Sequence, residues 1–270
     1  MTDPAAWSHV ADPARRVGRS VEFHDEIGST NDRARMALRE PGGDGLAVVA
    51  DLQTAGRGRR GRTWASPSGL NLTVSVGVRP LLEPSRAGLL GIAAALATRD
   101  ACSALAPDAA LGIRWPNDVV TREGEKVAGL LVETAVEDGQ LVEAVIGIGI
   151  NVNWRHEQMP DEIAARATSL ADIAGRELDR TALLGFLLDA LDAELAALER
   201  GGSPVERFRS VSVLDGRRVA VELGEEVLEG TAAGIADDGA LLLDTEAGRV
   251  ALTIGEVVSV RDAEPLEVPA

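Results

Sequence analysis

The stretch Gln53-Thr-Ala-Gly-Arg-Gly-Arg-Arg-Gly-Arg62 decides how the chain around it folds. Four arginines and three glycines share its last seven residues, which is too much like charge and too much backbone freedom for an ordinary helix or strand. Apolar runs lie on both sides of it, at 46–50 and 71–78, and both are typical of strands. The pattern predicts a loop that connects two strands of one sheet.

The composition of this loop indicates what it binds. Glycines let backbone N–H groups approach an anion closely, and arginines offer paired donors that fit carboxylate or phosphate oxygens. A solvated basic loop, or a disordered Arg-Gly segment that binds nucleic acid, would have a similar composition. The position of the loop between core strands, followed at once by Trp64, favours an ordered site for a small anion.

Length and charge limit the class of protein. A chain of 270 residues with 45% hydrophobic residues can form one large domain, or a domain of about 200 residues and a small one. A net charge of -16 disfavours general attraction to DNA, RNA or anionic lipid. We see no signal peptide and expect no membrane-spanning stretch, so we expect a cytoplasmic protein without membrane or DNA partners. The one cysteine, Cys102, is expected to be a buried spectator.

Lys126 is the single lysine among 27 basic residues. Arginine therefore serves wherever any positive charge suffices, and a lone lysine indicates a position that needs a compact and mobile ammonium group. A hairpin would bring Lys126 close to the bend at Pro116-Asn-Asp118. That bend could equally be an ordinary Asx turn.

Two further segments have features that helix capping or strand formation alone does not require. One has three consecutive polar side chains, and the other has two glycines on one strand face. Ser29-Thr-Asn31 precedes a predicted helix from 32 to about 40. One of these residues can cap the helix, and the others could bind an amide or urea group. In the predicted strand 141–153, Gly147 and Gly149 share one face with Asn151, so a flat ligand could lie there. A bulge or close helix packing is the alternative.

The remaining chain divides into three parts. Residues 1–20 show no periodicity and are expected to be a loose N-terminal arm. Residues 21–212 alternate strands and helices, including helices at 86–104 and 180–199, and predict an α/β domain. Residues 213–270 contain short strands separated by glycines and predict a small antiparallel barrel.

Taken in order, Gly28-Ser-Thr-Asn31, the Arg-Gly loop, Trp115-Pro-Asn-Asp118, Lys126-Val-Ala-Gly129 and Gly147-Ile-Gly-Ile-Asn151 resemble the motifs of the biotin-protein ligases. The resemblance implies an α/β (α+β) catalytic domain with a mixed sheet and an SH3-like C-terminal barrel. It also implies a two-step reaction. Biotin and ATP form biotinyl-5'-AMP, and the biotinyl group then passes to a lysine of a biotin carboxyl carrier protein.

The same resemblance implies roles for individual residues. Biotin would contact Ser29, Thr30, Asn31, Gln53, Arg57, Gly58, Arg59 and Lys126. The nucleotide would contact Trp64, Asn117, Asp118, Lys126 and Asn151. Lys126, Arg59 and Arg57 would be catalytic, and Asp118 would help to hold the Mg²⁺ that accompanies ATP.

Several expectations concern partners and alternatives. Some members of the family repress transcription through an N-terminal DNA-binding domain, but about twenty leading residues are too few for one, so we expect a ligase without repressor function. We expect a monomer or weak homodimer. The nearest alternative, a lipoate-protein ligase, shares the fold and the acyl-adenylate chemistry, but lipoate has no urea for Ser29, Thr30 and Asn31 to bind.

Overall fold

A seven-stranded sheet organises the protein in a computed structural model that describes residues 4–261. Its strands are β1 (Val21–Ile27), β2 (Ala47–Gln53), β3 (Leu72–Val78), β4 (Gly112–Arg114), β5 (Asp118–Val120), β6 (Lys126–Glu137) and β7 (Gln140–Ile150). They lie in the order β1-β2-β3-β7-β6-β5-β4. The β1–β2 pair is parallel and every other neighbouring pair is antiparallel, so the predicted mixed sheet is confirmed.

The strand pairing explains why the Arg-Gly loop is a loop. β2 and β3 are neighbours, with Ala47 opposite Val76 and Ala50 opposite Thr73. All seven residues of β3 are buried, which holds the downstream end of the connection firmly. The predicted loop between two strands of one sheet is therefore confirmed.

Helices cover both faces of this sheet. They are α1 (Pro4–Ser8), α2 (Thr30–Ala37), α3 (Leu89–Leu105), α4 (Asp161–Ala164), α5 (Leu170–Ala174), α6 (Arg180–Glu199) and α7 (Val205–Val211), with 3-10 turns at Arg59–Gly61, Pro84–Arg86 and His156–Gln158. Neighbouring strand residues point to opposite faces. Val48 packs beneath α2, whereas Ala47 and Val49 join the main core with α3 and α6. The short helix α2 packs on β2, β3 and β7 on that face.

The helix α3 and the turn before it form the most apolar segment. By length and composition Pro84–Leu105 could cross a membrane, which the sequence reading did not anticipate. In the fold this segment packs against α6 and the sheet, and most of it is buried. A core helix has the same composition for the same reason, because apolar surface is removed from water.

The C-terminal residues form a second, antiparallel sheet. Its strands are β8 (Arg218–Leu223), β9 (Glu226–Ile235), β10 (Leu241–Thr245), β11 (Gly248–Leu252) and β12 (Glu256–Arg261), in the order β11-β10-β9-β8-β12. Trp115 Nε1 donates to the Gly239 carbonyl at 3.1 Å, and Arg209 Nε donates to the Ile235 carbonyl at 2.8 Å. The second sheet is thus tied to the bend that follows β4 and to α7.

Residues 5–20 are packed in place, so the prediction of a loose arm was wrong for them. Trp7 is fully buried and stacks on Phe23 with ring centroids 5.3 Å apart. The Arg180 guanidinium lies 5.3 Å from the centroid of the Trp7 ring. Further along, Arg16 forms ion pairs with Glu199 at 2.6 Å and with Asp44 at 3.0 Å. Trp7 and Arg16 anchor this segment, and two isolated residues produce no periodicity for a sequence pattern to detect.

Replacing Trp7 with alanine tests this anchor. Loss of a buried tryptophan should lower the free energy of unfolding by about 3–5 kcal/mol, as measured by urea denaturation. Trp7→Phe should recover a large part of that loss, because it retains an aromatic ring against Phe23. An unchanged urea midpoint for Trp7→Ala would mean that the N-terminal segment is a loose arm, as the sequence predicted.

Candidate functional site

One cavity of about 450 Å³ lies on the α2 side of the seven-stranded sheet. Every residue that was predicted to contact biotin or the nucleotide lines it: Ser29, Thr30, Asn31, Gln53, Arg57, Gly58, Arg59, Trp64, Asn117, Asp118, Lys126 and Asn151. Motifs that are distant along the chain therefore meet in one place. The cavity has a size typical of small-molecule sites.

Hydroxyl and amide groups form one end of the cavity. Gln53 Oε1 accepts the Thr30 backbone N–H at 2.8 Å and lies 3.0 Å from Thr30 Oγ1. Thr30 Oγ1 lies 2.7 Å from Ser75 Oγ, which lies 2.6 Å from Asn31 Oδ1. We call Gln53 Oε1, Thr30 Oγ1, Ser75 Oγ and Asn31 Oδ1 the oxygen row. It is uncharged and suited to hydrogen-bonding a neutral polar ligand group.

Ser29 has the structural role that the sequence allowed. It is the N-cap of α2, and its side chain accepts from the Asp32 N–H. Thr30 and Asn31 lie inside the first turn and turn their side chains to the oxygen row instead. One of the three polar residues is thus used as a cap, and the other two remain for a ligand.

Three of the four loop arginines are bound to carboxylates of the protein. Arg57 donates two hydrogen bonds to Asp32, at 2.6 and 3.1 Å, and these bonds raise the pKa of Arg57. Arg60 pairs with Glu222 at 2.5 Å, and Arg62 pairs with Glu256. The guanidinium of Arg57 therefore anchors the loop to α2, so its contact with a ligand would come from other atoms. The other two pairs join the loop to the C-terminal sheet.

Backbone contacts also hold the two sides of the Arg-Gly loop together. Arg57 and Thr63 form an isolated antiparallel bridge, and the Gly58 N–H donates to the Arg62 carbonyl at 2.7 Å. Arg60 and Gly61 have positive φ angles of 57° and 74°, which turn the chain tightly at the tip. The Gly58 N–H is therefore used to close the loop.

Arg59 differs from the other loop arginines. It is half-buried, and its Nη1 donates to Asn117 Oδ1 at 3.3 Å. Within the described residues 4–261, no carboxylate lies at ion-pair distance from it. Burial lowers the pKa of Arg59, and the more distant charges of Glu256 and Asp118 offset only part of that effect. A bound anion would complete the surroundings of this cation.

Lys126 and Asp118 meet as the hairpin prediction required. β5 pairs with β6, and Lys126 Nζ lies 2.6 Å from Asp118 Oδ1. Arg114 donates to the other oxygen, Asp118 Oδ2, at 2.8 Å. Burial alone would raise the pKa of Asp118, but the charges of Lys126 and Arg114 outweigh it and hold that pKa below its ordinary value.

The glycine face predicted on β7 is the floor of the cavity. A Cβ atom added to Gly147 would lie 2.1 Å from Asn31 Oδ1, and one added to Gly149 would lie 2.2 Å from the Trp64 ring. The Lys126 Nζ atom is 5.6 Å from the centroid of the same ring. The indole thus lies against Gly149 and beside the ammonium group, an arrangement that a side chain at position 149 would prevent.

Two predicted nucleotide contacts also hold the framework together. Asn151 is buried, and its amide donates to the carbonyls of Thr168 at 3.1 Å and Lys126 at 3.4 Å. Asn117 donates to the Leu130 carbonyl while its oxygen accepts from Arg59. Both amides line the cavity and fix neighbouring segments, and contact with a nucleotide stays a prediction for them.

Sequence reasoning missed several residues of the site. Ser75 belongs to the oxygen row, and Glu133 accepts from Asn31 at 2.7 Å behind it. Ser75 has a detectable signal, because it and Thr73 are polar residues two positions apart in an otherwise apolar strand. Glu256, from the second sheet, and Arg166, from the connection between α4 and α5, also line the cavity. Only the tertiary structure brings them there.

Comparisons with known proteins agree with this site. Residues 25–151 match the Biotin/lipoate A/B protein ligase family, and residues 216–259 match the Biotin protein ligase C terminal domain. The chain is 38% identical to the biotin--[acetyl-CoA-carboxylase] ligase of Mycobacterium tuberculosis, over 90% of each protein. It is 32% identical to the bifunctional ligase/repressor BirA of Bacillus subtilis, over 86% of this chain and 71% of that protein.

A solved structure completes the comparison. The biotin protein ligase of Aquifex aeolicus, in complex with biotin and ATP, superposes with a TM-score of 0.75 at 32% identity, over 90% of this chain and 99% of that one. The motifs, the cavity that they line and the extent of these matches together show that the chain belongs to the biotin protein ligase family.

Proposed function

We propose that this biotin ligase activates biotin as biotinyl-5'-AMP and transfers the biotinyl group to a lysine of a biotin carboxyl carrier protein. The observation that carries the proposal is the division of the cavity into two ends. The oxygen row is neutral and suits the ureido ring, whereas Arg59 and Lys126 lie at the cationic end and suit a carboxylate beside a phosphate. ATP and biotin are both bound by the Aquifex aeolicus relative.

The cationic end addresses the main obstacle of the first step. The biotin carboxylate must approach the α-phosphate of ATP, and two anions repel each other in a partly buried site. An oxygen of the carboxylate bonds to the α-phosphorus, the bond to the β-phosphate breaks, and pyrophosphate leaves. Arg59 and Lys126 would offset the charge on the phosphorus oxygens as it shifts. Within the described part of the chain, Arg59 has no carboxylate partner to lose, whereas Lys126 would move from Asp118 towards the ligand.

The second step needs an anhydride that water does not reach. The acceptor ε-amine attacks the biotinyl carbonyl, the bond to the phosphate oxygen breaks, and AMP and a proton leave. Trp64 and the Arg-Gly loop lie over the cavity, and ion pairs with Asp32, Glu222 and Glu256 hold that loop in place. Such a cover would exclude water while the intermediate waits for the carrier protein.

Asp118 is the residue of the site that would contribute to Mg²⁺ binding, as one carboxylate ligand among phosphate oxygens and water. The described residues contain no group of three or more metal-ligating side chains, and both oxygens of Asp118 already face cations. Mg²⁺ in nucleotide sites takes one or two carboxylates and completes its shell with phosphate oxygens and water. Asp118 would serve as that carboxylate, and the ion would reduce the negative charge of the triphosphate.

An assay with a carrier domain tests this function. The protein is mixed with labelled biotin, ATP and Mg²⁺, first alone and then with a biotin carboxyl carrier domain. We expect bound biotinyl-5'-AMP in the first mixture and label on one carrier lysine in the second. A carrier with that lysine replaced by arginine is the control. The same mixtures are repeated with labelled lipoate in place of biotin, and pyrophosphate release is measured in each. Transfer of lipoate but not of biotin would favour the lipoate ligase. No pyrophosphate release with either acid would refute the proposal.

The proposal includes no repressor activity. The net charge of the chain is -16, which opposes DNA binding. Gel-shift titration with random DNA at low salt should show almost no complex, and sedimentation should show a monomer or weak homodimer. A tight, salt-sensitive DNA complex would contradict this part of the proposal.

Replacing Gly149 with alanine should damage biotin binding more than stability. The new methyl group would collide with the Trp64 ring and move the indole from the cavity wall. We expect affinity for biotin to fall at least about tenfold, which corresponds to about 1.4 kcal/mol, in isothermal titration. Gly91→Ala, which adds the same methyl group to α3 with no atom within 4 Å, should keep wild-type affinity. Equal affinities in the two variants would show that the glycine face is not part of the site.

A further inference from the structure

The oxygen row contains more contacts than hydroxyl protons. Its three contacts measure 3.0 Å, 2.7 Å and 2.6 Å along Gln53, Thr30, Ser75 and Asn31. The two amide oxygens at the ends can only accept, and each hydroxyl between them has one proton. One contact therefore lacks a proton, however the hydroxyl groups rotate.

Glu133 keeps the row one proton short. Asn31 Nδ2 donates to Glu133 Oε2 at 2.7 Å, and an ionised carboxylate can only accept. Arg35 lies 3.1 Å and Arg57 3.8 Å from the same oxygen. With its nitrogen fixed on Glu133, Asn31 must turn its oxygen towards Ser75.

The consequence passes along the row. Ser75 uses its proton on Asn31 Oδ1, and Thr30 has one proton for two neighbours, Gln53 Oε1 and Ser75 Oγ. An N–H donor from the ligand would favour the arrangement in which Thr30 donates to Ser75. Thr30 Oγ1 and Gln53 Oε1, 3.0 Å apart, are then two acceptors without a proton between them. Both residues line the cavity, so both oxygens are available to a donor from the ligand.

The opposite orientation of Asn31 would satisfy the row by itself. Its nitrogen would donate to Ser75, Ser75 would donate to Thr30, and Thr30 would donate to Gln53. Every contact would then have a proton, and Thr30 would offer the ligand a weaker acceptor. Glu133 prevents this state, because Asn31 Oδ1 would face a carboxylate oxygen without any proton between them.

We propose that Glu133 is a positioning residue that keeps the acceptors of the oxygen row directed at an N–H donor of the ligand. On the proposed function, on which this inference rests, that donor is a ureido N–H of biotin. Glu133 lies behind Asn31 and does not itself line the cavity. It therefore acts through Asn31 and Ser75.

The variant Glu133→Gln isolates this role. Glutamine has nearly the same shape, but its amide can accept through Oε1 or donate through Nε2, so it permits both orientations of Asn31. We expect the Kd for biotin to rise about tenfold while the KM for ATP stays unchanged. Arg35→Ala removes an ion pair of Glu133 without altering the row, and should keep the wild-type Kd.

A double-mutant cycle separates positioning from general stabilisation. Ser75→Ala cuts the row between Asn31 and Thr30, so Glu133→Gln should have no further effect on biotin binding in that background. If Glu133 acted only by supporting the fold or Arg57, its replacement would have the same effect with or without Ser75. Isothermal titration of the four proteins gives the coupling, and thermal melts confirm that each is folded.

One more variant distinguishes the possible failures. Thr30→Val removes the hydroxyl group at constant shape and should weaken biotin binding. If it does not, the ureido ring lies elsewhere, and the proposed placement fails together with this inference. If Thr30→Val weakens binding but Glu133→Gln has no effect, or has the same effect in both Ser75 backgrounds, the inference about Glu133 alone is overturned.

Discussion

Replacing Lys126 with alanine is expected to suppress almost all adenylate formation in a protein that stays folded. The ammonium group lies between Asp118 and the Trp64 ring, where a carboxylate and an α-phosphate would meet. Loss of one such charge in a preorganised site lowers turnover by about 10²–10³-fold. Release of pyrophosphate from biotin and ATP, measured without carrier protein, reports this step alone.

Two controls make that result interpretable. Lys126→Arg keeps the charge but changes its shape, so it should retain more pyrophosphate release than the alanine variant. Lys126→Ala also leaves Asp118 with one cation, so the pKa of Asp118 should rise from its depressed value. Asp118 stabilises the folded protein above its unfolded-state pKa, and this contribution is lost as the pH falls through the folded-state pKa. The variant should therefore begin to lose stability at a higher pH, and unaltered pyrophosphate release would refute the assignment of Lys126.

Replacing Arg59 with alanine should weaken retention of the adenylate far more than binding of free biotin. Arg59 is the half-buried loop cation that has Asn117 as its polar contact, so a phosphate would gain a charge-assisted hydrogen bond there. We expect the dissociation rate of biotinyl-5'-AMP to rise about 100-fold, measured by chase with unlabelled biotin and ATP. The Kd for biotin should change much less.

Arg60→Ala is the matched control for Arg59, because it removes the same side chain from the next position of the loop. The Arg60 guanidinium contacts Glu222 and the Gly224 carbonyl in the second sheet. Its loss should loosen the loop and change adenylate retention less than loss of Arg59. Equal losses of biotin and adenylate affinity in Arg59→Ala would make Arg59 a general biotin contact.

Local patterns were sufficient for the parts of the site that depend on neighbouring strands. The loop between β2 and β3 followed from two apolar runs around a segment that could join neither. The contact between Lys126 and Asp118 followed from a hairpin. The bare face at Gly147 and Gly149 followed from the period of two in a strand. Each of these depends on one or two short segments, where backbone geometry limits the choices.

The residues that were missed depend on packing between distant segments. Glu133 reads as one more charge within a strand, and only α2 placed above it gives it Asn31 as a partner. Glu222 and Glu256 lie about 160 and 190 residues from their loop arginines. Nothing in a local pattern distinguishes a charge that faces water from one that crosses to another domain.

The ion pairs of the Arg-Gly loop have a consequence for polyelectrolytes. DNA and RNA bind cationic segments largely because mobile counterions are released from the nucleic acid. Arg57, Arg60 and Arg62 already have counterions that are covalently part of the protein, namely Asp32, Glu222 and Glu256. Displaced carboxylates cannot diffuse away, and they would remain to repel the phosphates. A loop with the composition of an RNA-binding tail is thereby reserved for a small molecule that fits beneath it.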